Sequence, residues 1–173
     1  MPRHLTLALV QFLPRKGDYA ANLERLTEIF TEVARLDPRV DVVHLPETAL
    51  SGYFLEGGVR DNAVTAGTLA RDLDEAWREA AGEHRQVDVV VGFYERWRDT
   101  LHNSALYATL GGEDGPIVRH VHRKVFLPTY GMFDEERFVE RGHAFRAFDA
   151  PWGRAGVLVC EDAWHSLSGT IVA

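Results

Sequence analysis

The sequence predicts an α/β (α+β) fold, a mixed sheet with helices on one face, and three observations carry that prediction. Through the first half, apolar runs of strand length alternate with segments of helical periodicity. In the second half, loops rich in turn residues separate short apolar runs, the pattern of hairpins. A chain of 173 residues, 46% hydrophobic and 26% charged, has the composition of one globular domain with a real core.

Leu5–Val10 reads as a buried strand, being apolar and short. Asp18 is placed to cap a helix whose Leu23, Leu26, Ile29, Phe30, Val33 and Leu36 recur at helical spacing, and Asp37-Pro38 should stop it. Val42, Val43 and Leu45 form the next strand, ending at Pro46-Glu47. Leu69, Leu73, Trp77 and Ala80 mark a second amphipathic helix with Gly82 near its end, and Val87–Phe93 is a further apolar strand. A β-α-β-α-β order argues for parallel strands with helices against them. Ser104–Leu110 and Ile117–Val125 then flank a Gly-Gly-Glu-Asp-Gly-Pro loop and read as a hairpin. Phe145–Phe148 and Gly156–Cys160, on either side of Asp149-Ala150-Pro151-Trp152-Gly153, are the second hairpin candidate.

Composition narrows the function. A net charge of -7 gives no electrostatic footprint for nucleic acid or an anionic membrane. Leu5–Val10 is too short to span a bilayer and no small-residue cleavage site follows it, so the expected location is cytoplasmic. A single cysteine excludes an internal disulfide framework and a multi-thiolate metal site.

That cysteine, Cys160, ends the apolar run Val157-Leu158-Val159. A sharp turn there would expose the thiol and aim the following N–H groups at a developing oxyanion. Alone, a cysteine on an apolar strand is more often a small buried hydrophobe. Glu47 sits where open α/β sheets place their sites, at the C-terminal end of a strand, and could act as a general base. The plainer alternative is a solvated loop glutamate. Lys124, in Arg119-His120-Val121-His122-Arg123-Lys124, could favour a thiolate and stabilise an oxyanion, or be an ordinary edge-strand lysine. His120 and His122 share a strand face, as in some zinc sites, but no third ligand follows by spacing, so no metal is expected.

Three segments in this order resemble the nitrilase (carbon–nitrogen hydrolase) superfamily. Leu-Pro-Glu-Thr-Ala-Leu-Ser-Gly-Tyr at 45–53 is similar to its glutamate motif, Arg-Lys-Val-Phe-Leu-Pro at 123–128 to its lysine motif, and Val-Leu-Val-Cys-Glu-Asp-Ala-Trp-His at 157–165 to its cysteine motif. Leu7–Phe12 and His102-Asn103-Ser104-Ala105 also fit the pattern. Within the superfamily, 124–138 and 160–166 most resemble the glutaminase portion of glutamine-dependent NAD synthetases.

The resemblance implies that Cys160 attacks the carbon of an amide or nitrile, that Glu47 relays protons, and that Lys124 and the Glu161 backbone N–H hold the oxyanion. It implies a second glutamate at Glu135, with Glu136 as the neighbouring alternative. The implied fold is a four-layer α-β-β-α sandwich, of which residues 1–173 would be the front part of a single domain, truncated on its C-terminal side. The implied activity is hydrolysis of a small carboxamide through a cysteine thioester, without a cofactor, in a homo-oligomer (dimer or larger). With no ATP-binding synthetase motif among these residues, a free-standing amidase is expected. The alternatives are nitrile hydrolysis by the same triad, a catalytically silent fragment acting by association, and a metallohydrolase using His120 and His122.

Overall fold

Residues 4–173 are described by a computed structural model. The elements run β1 (Leu7–Leu9), α1 (Tyr19–Ala34), β2 (Val42–His44), the single-turn α2 (Val59–Asn62), α3 (Ala66–Ala81), β3 (Val87–Trp97), β4 (Thr100–Leu110) and β5 (Ile117–Arg123). A short hairpin of β6 (Phe148–Ala150) and β7 (Gly153–Ala155) follows, and then α4 (Ser166–Val172). Strands β1 to β5 lie side by side in chain order, parallel from β1 to β3 and antiparallel from β3 to β5. The predicted mixed sheet is the observed one.

Both long helices start where a side chain satisfies an otherwise orphaned N–H. Asp18 accepts from Ala21 at 3.1 Å and Thr65 from Thr68 at 3.1 Å, each cap contributing about 1 kcal/mol. Gly82 closes α3 with φ 82°, a left-handed conformation that suits glycine. The helix α1 ends at Ala34, before Leu36 and the Asp37-Pro38 stop. The apolar stripes of α1 and α3 pack on one sheet face, where Leu26, Phe30, Leu73 and Trp77 meet Val89 and Leu106. Phe30 and Trp77 touch edge to face at 5.4 Å, and the Trp77 indole N–H donates to the Arg85 carbonyl. Burying each such side chain stabilises the fold by about 1.5–3 kcal/mol.

Two differences from the sequence pattern have local causes. β3 and β4 form a long hairpin closed by only Arg98 and Asp99, with Arg98 at φ 53°; that dipeptide carries no glycine or asparagine signal. The later hairpin pairs Phe148 with Ala155 and Ala150 with Gly153, so its second strand lies earlier than the expected Gly156–Cys160. Val157–Val159 has no strand partner among the described residues, although Val159 is extended at φ -113° and ψ 114°. A β-bulge in β5 at Arg119 resets the alternation, so that Val121 faces the helices while His120 and His122 face away.

The sheet face opposite the helices is only partly covered. Phe148, Ala150, Trp152 and Val157 pack on Val42, Val90 and Tyr107, but Leu7 and Leu9 of β1 are 53% and 73% exposed. A polypeptide of residues 1–173 alone is therefore expected to self-associate or to bind a hydrophobic dye. Sedimentation of a stable monomer that leaves the dye dark would contradict this. Among the described residues no helix is long and apolar enough to cross a membrane.

Candidate active site

The sheet brings four distant segments to one end. After β2, Leu45 N–H bonds the Val90 carbonyl at 2.8 Å and Ala49 N–H the Gly92 carbonyl at 2.9 Å, which holds Glu47 beside β3. Gly92 is what permits this approach, since a Cβ there would lie 2.5 Å from the Glu47 Cα and 2.6 Å from the Thr48 nitrogen. Lys124 directly follows β5, and its N–H bonds the Asn103 carbonyl of β4 at 2.9 Å. Glu135 opens a 3₁₀ turn whose N–H reaches back to the Pro128 carbonyl at 3.2 Å. Cys160 opens another 3₁₀ turn with φ 46°, a left-handed conformation unusual for a residue with a Cβ.

Lys124 is fully buried, and its ammonium sits 3.0 Å from Glu47 Oε1 and 2.8 Å from Glu135 Oε2. The Asn103 amide donates to both carboxylates, at 2.7 Å to Glu47 Oε1 and 2.5 Å to Glu135 Oε1. Tyr53 hydrogen-bonds Glu135, and the Lys124 Nζ lies 5.8 Å from its ring centroid. The Cys160 thiol is exposed to solvent, hydrogen-bonds Glu47 and receives the backbone N–H of Glu161. Of the two neighbouring glutamates, Glu135 enters this cluster, whereas Glu136 pairs with Arg141 at the surface.

The electrostatics follow from this packing. Burial alone would lower the Lys124 pKa, but the attraction of Glu47 and Glu135 outweighs it and the ammonium is held more firmly than usual. Burial pushes the Glu135 carboxyl above its ordinary value, against the opposing pull of Lys124 and Asn103. Burial likewise raises the Cys160 thiol, helped by Glu47, while Lys124 and the Glu161 N–H pull it down.

Three residues of this neighbourhood have no role in the sequence reading. Asn103 lay in a matched family segment, and a polar run His102-Asn103-Ser104 inside a buried strand was its signal. Tyr53 ends the glutamate motif, and its position there carries no signal of a contact with Glu135. Asp162, fully buried, accepts from His122 Nε2 at 2.7 Å and is discussed below. His120 stacks on Phe148 with ring centroids 4.5 Å apart, and among the described residues no group of three or more His, Cys, Asp or Glu side chains is placed to hold a metal ion.

Comparison with known proteins bears on the family and the fold. A family model described as carbon-nitrogen hydrolase matches residues 6–173. The chain is 36% identical over 168 residues to a glutamine-dependent NAD(+) synthetase of Xylella fastidiosa, covering 96% of this chain and 29% of that protein. It is 29% identical over 160 residues to a probable nitrilase of Schizosaccharomyces pombe, covering 90% of this chain and 54% of the relative. The structure of a glutamine-dependent NAD+ synthetase from Acinetobacter baumannii, in complex with ADP, superposes with a TM-score of 0.72 at 27% identity, over 95% of this chain and 29% of that one. The chain therefore spans less than a third of the length of the synthetases it matches. By its family match over nearly every residue, and by the nitrilase-type sheet it shares with solved structures, the chain belongs to the carbon–nitrogen hydrolases of the nitrilase superfamily.

Proposed function

We propose that this protein is an amidase that hydrolyses a small carboxamide through a thioester on Cys160. The observation that carries the reading is the convergence on one buried ammonium, Lys124, of two carboxylates, one of which also hydrogen-bonds the thiol. In the first step Glu47 takes the thiol proton as sulfur bonds to the carbonyl carbon. The resulting oxyanion is held by the Lys124 ammonium and the Glu161 backbone N–H. Collapse breaks the carbon–nitrogen bond, and Glu47 returns its proton to the leaving nitrogen so that ammonia departs. Water then attacks the thioester while Glu47 takes its proton, and Glu47 returns that proton to sulfur as the carbon–sulfur bond breaks, which releases the carboxylic acid and restores the free thiol. Glu135, with Asn103, fixes the ammonium between its two partners.

This scheme uses no cofactor and needs no thiolate at rest, which suits a thiol held above its ordinary pKa. Similarity to glutamine-dependent synthetases supports a carboxamide over a nitrile, with glutamine one member of the class. The resemblance to the superfamily supports a homo-oligomer, a dimer or larger. The test is a panel of short aliphatic amides, ω-amides, N-carbamoyl compounds and nitriles offered to the intact protein. Release of ammonia from amides, with an acyl adduct on Cys160 by mass spectrometry, is the expected result. Efficient turnover of nitriles with every amide ignored would overturn the substrate class.

A further inference from the structure

Outside the reacting cluster, a buried side chain joins the two segments that carry its lysine and its cysteine. Asp162 is fully buried two residues after Cys160. Its Oδ1 accepts the backbone N–H of Val125 at 3.0 Å and of Phe126 at 2.9 Å, the two residues that follow Lys124. Its Oδ2 accepts from His122 Nε2 at 2.7 Å and from the Val159 N–H at 3.3 Å, the residue before Cys160. One side chain thus holds the backbone just after Lys124, the imidazole two residues before it, and the entry to the turn that carries Cys160. His122 is itself held, buried and stacked on Phe145 at 5.6 Å.

Ordinary turn geometry does not require this. The 3₁₀ turn at Cys160–Trp164 already has its own backbone bond, Asp162 N–H to the Val159 carbonyl at 3.0 Å. The side chain caps this turn with one contact, from the Val159 N–H, and directs the other three to the lysine segment. Left-handed backbone at a residue with a Cβ is strained and persists only where its surroundings over-determine it. Cys160 is in that conformation, and the Asp162 contacts on Val159 and the lysine segment supply the constraint.

We propose that Asp162, braced by His122, is a positioning residue that sets the distance between the Cys160 thiol and the Lys124 ammonium. The inference rests on the reading of Glu47, Lys124 and Cys160 as the reacting groups. Asp162 touches none of the reacting atoms. Its work is to keep two loops, which the Tyr130–Glu161 hydrogen bond at 2.7 Å and the Phe126–His165 stack at 3.7 Å also bridge nearer the surface, in one fixed relation from the buried side. A displacement of about 1 Å in such an arrangement is enough to cost on the order of a hundredfold in rate.

The experiment uses Asp162→Asn and, separately, His122→Asn in the intact protein, with two readouts. One is steady-state kinetics on an amide substrate. The other is the pH profile of Cys160 alkylation by iodoacetamide, which needs no substrate. The groups that face the thiol are Glu47, Lys124, Tyr130 and the Glu161 N–H, and Lys124 is the cation among them. If its distance is no longer fixed, its pull on the thiol weakens and the profile moves to higher pH. Asp162→Asn should lower kcat about a hundredfold with KM within a few-fold, and shift the alkylation profile upward. His122→Asn, which removes a single donor, should shift it in the same direction by less. A folded variant with a parental profile and kcat within a few-fold would reduce Asp162 to a structural group and overturn the inference. If Asp162→Asn does not fold, the His122→Asn profile decides alone. A shifted profile in a protein that forms no acyl adduct would sink the proposed function while leaving the positioning role standing.

Discussion

Replacing Cys160 with alanine is expected to abolish turnover while the protein stays folded. The side chain is exposed, so losing its sulfur opens no cavity in the core. Alanine meets the same left-handed backbone that cysteine already tolerates at φ 46°, so the turn should be no more strained than before. In the proposed thioester scheme the rate, by contrast, loses the atom that forms the covalent intermediate. Removing the nucleophile of a catalytic unit costs on the order of 10⁴-fold or more. Circular dichroism and a thermal melt should match the parent, with kcat reduced to the background. Near-normal activity in Cys160→Ala would end the covalent scheme.

Lys124→Met should cost both activity and stability, and the stability loss is the more distinctive. Methionine fills much of the same space, but it leaves Glu47 and Glu135 sharing the Asn103 amide with no cation between them. Breaking a buried pair by removing one partner typically costs about 3–5 kcal/mol. For a domain of this size that corresponds to a fall in Tm of about 10 °C. The deficit has a predicted pH dependence. Burial already raises the Glu135 carboxyl, and Lys124 opposes it, so without the lysine the folded-state pKa rises further. A group raised in the folded state stabilises below its unfolded pKa and loses that contribution as pH rises. The variant should accordingly be closest to the parent in acid and furthest from it near neutrality. Adding Glu135→Gln should restore part of the Tm without restoring activity. Combined with Glu47→Gln, the loss in rate should fall well short of the sum of the two single losses. A Lys124→Met protein that melts with the parent at pH 7 and turns over within a few-fold would contradict the whole arrangement.

The elements most plainly written in the sequence are those with strong local signals. Helix α1 announces itself through Asp18 and a clean apolar stripe, and α3 through its stripe and Gly82. Glu47, Lys124, Cys160 and Glu135 were named from motif segments, and all four meet in space. The parts that could not be read depend on partners remote in the chain. The turn at Arg98-Asp99 is stabilised by the ladder it closes, not by its own residues. Val157–Val159 has the composition of a strand, but a strand also needs a neighbour, and composition does not encode one. Asp162 lies within the cysteine motif, but an aspartate two residues after a cysteine gives no sign in the sequence that it will be buried. Only the fold shows that three backbone N–H groups and an imidazole point at it.

Asn103 has a consequence for how the protein acquires its chemistry. Its bond to Glu47 closes a separation of 56 residues, its bond to Glu135 one of 32, and the Lys124–Glu47 bond one of 77. Bringing such distant points together carries an entropic cost that no local contact offsets, so these bonds form only once β2, β3, β4 and β5 are in register. On the proposed scheme, a nascent or partly unfolded chain therefore carries Cys160 as an ordinary thiol, without the carboxylate proposed to deprotonate it or the ammonium proposed to stabilise its adduct. Reactivity is a property that arrives with the last stage of folding, and it is withheld from every intermediate that lacks the complete sheet.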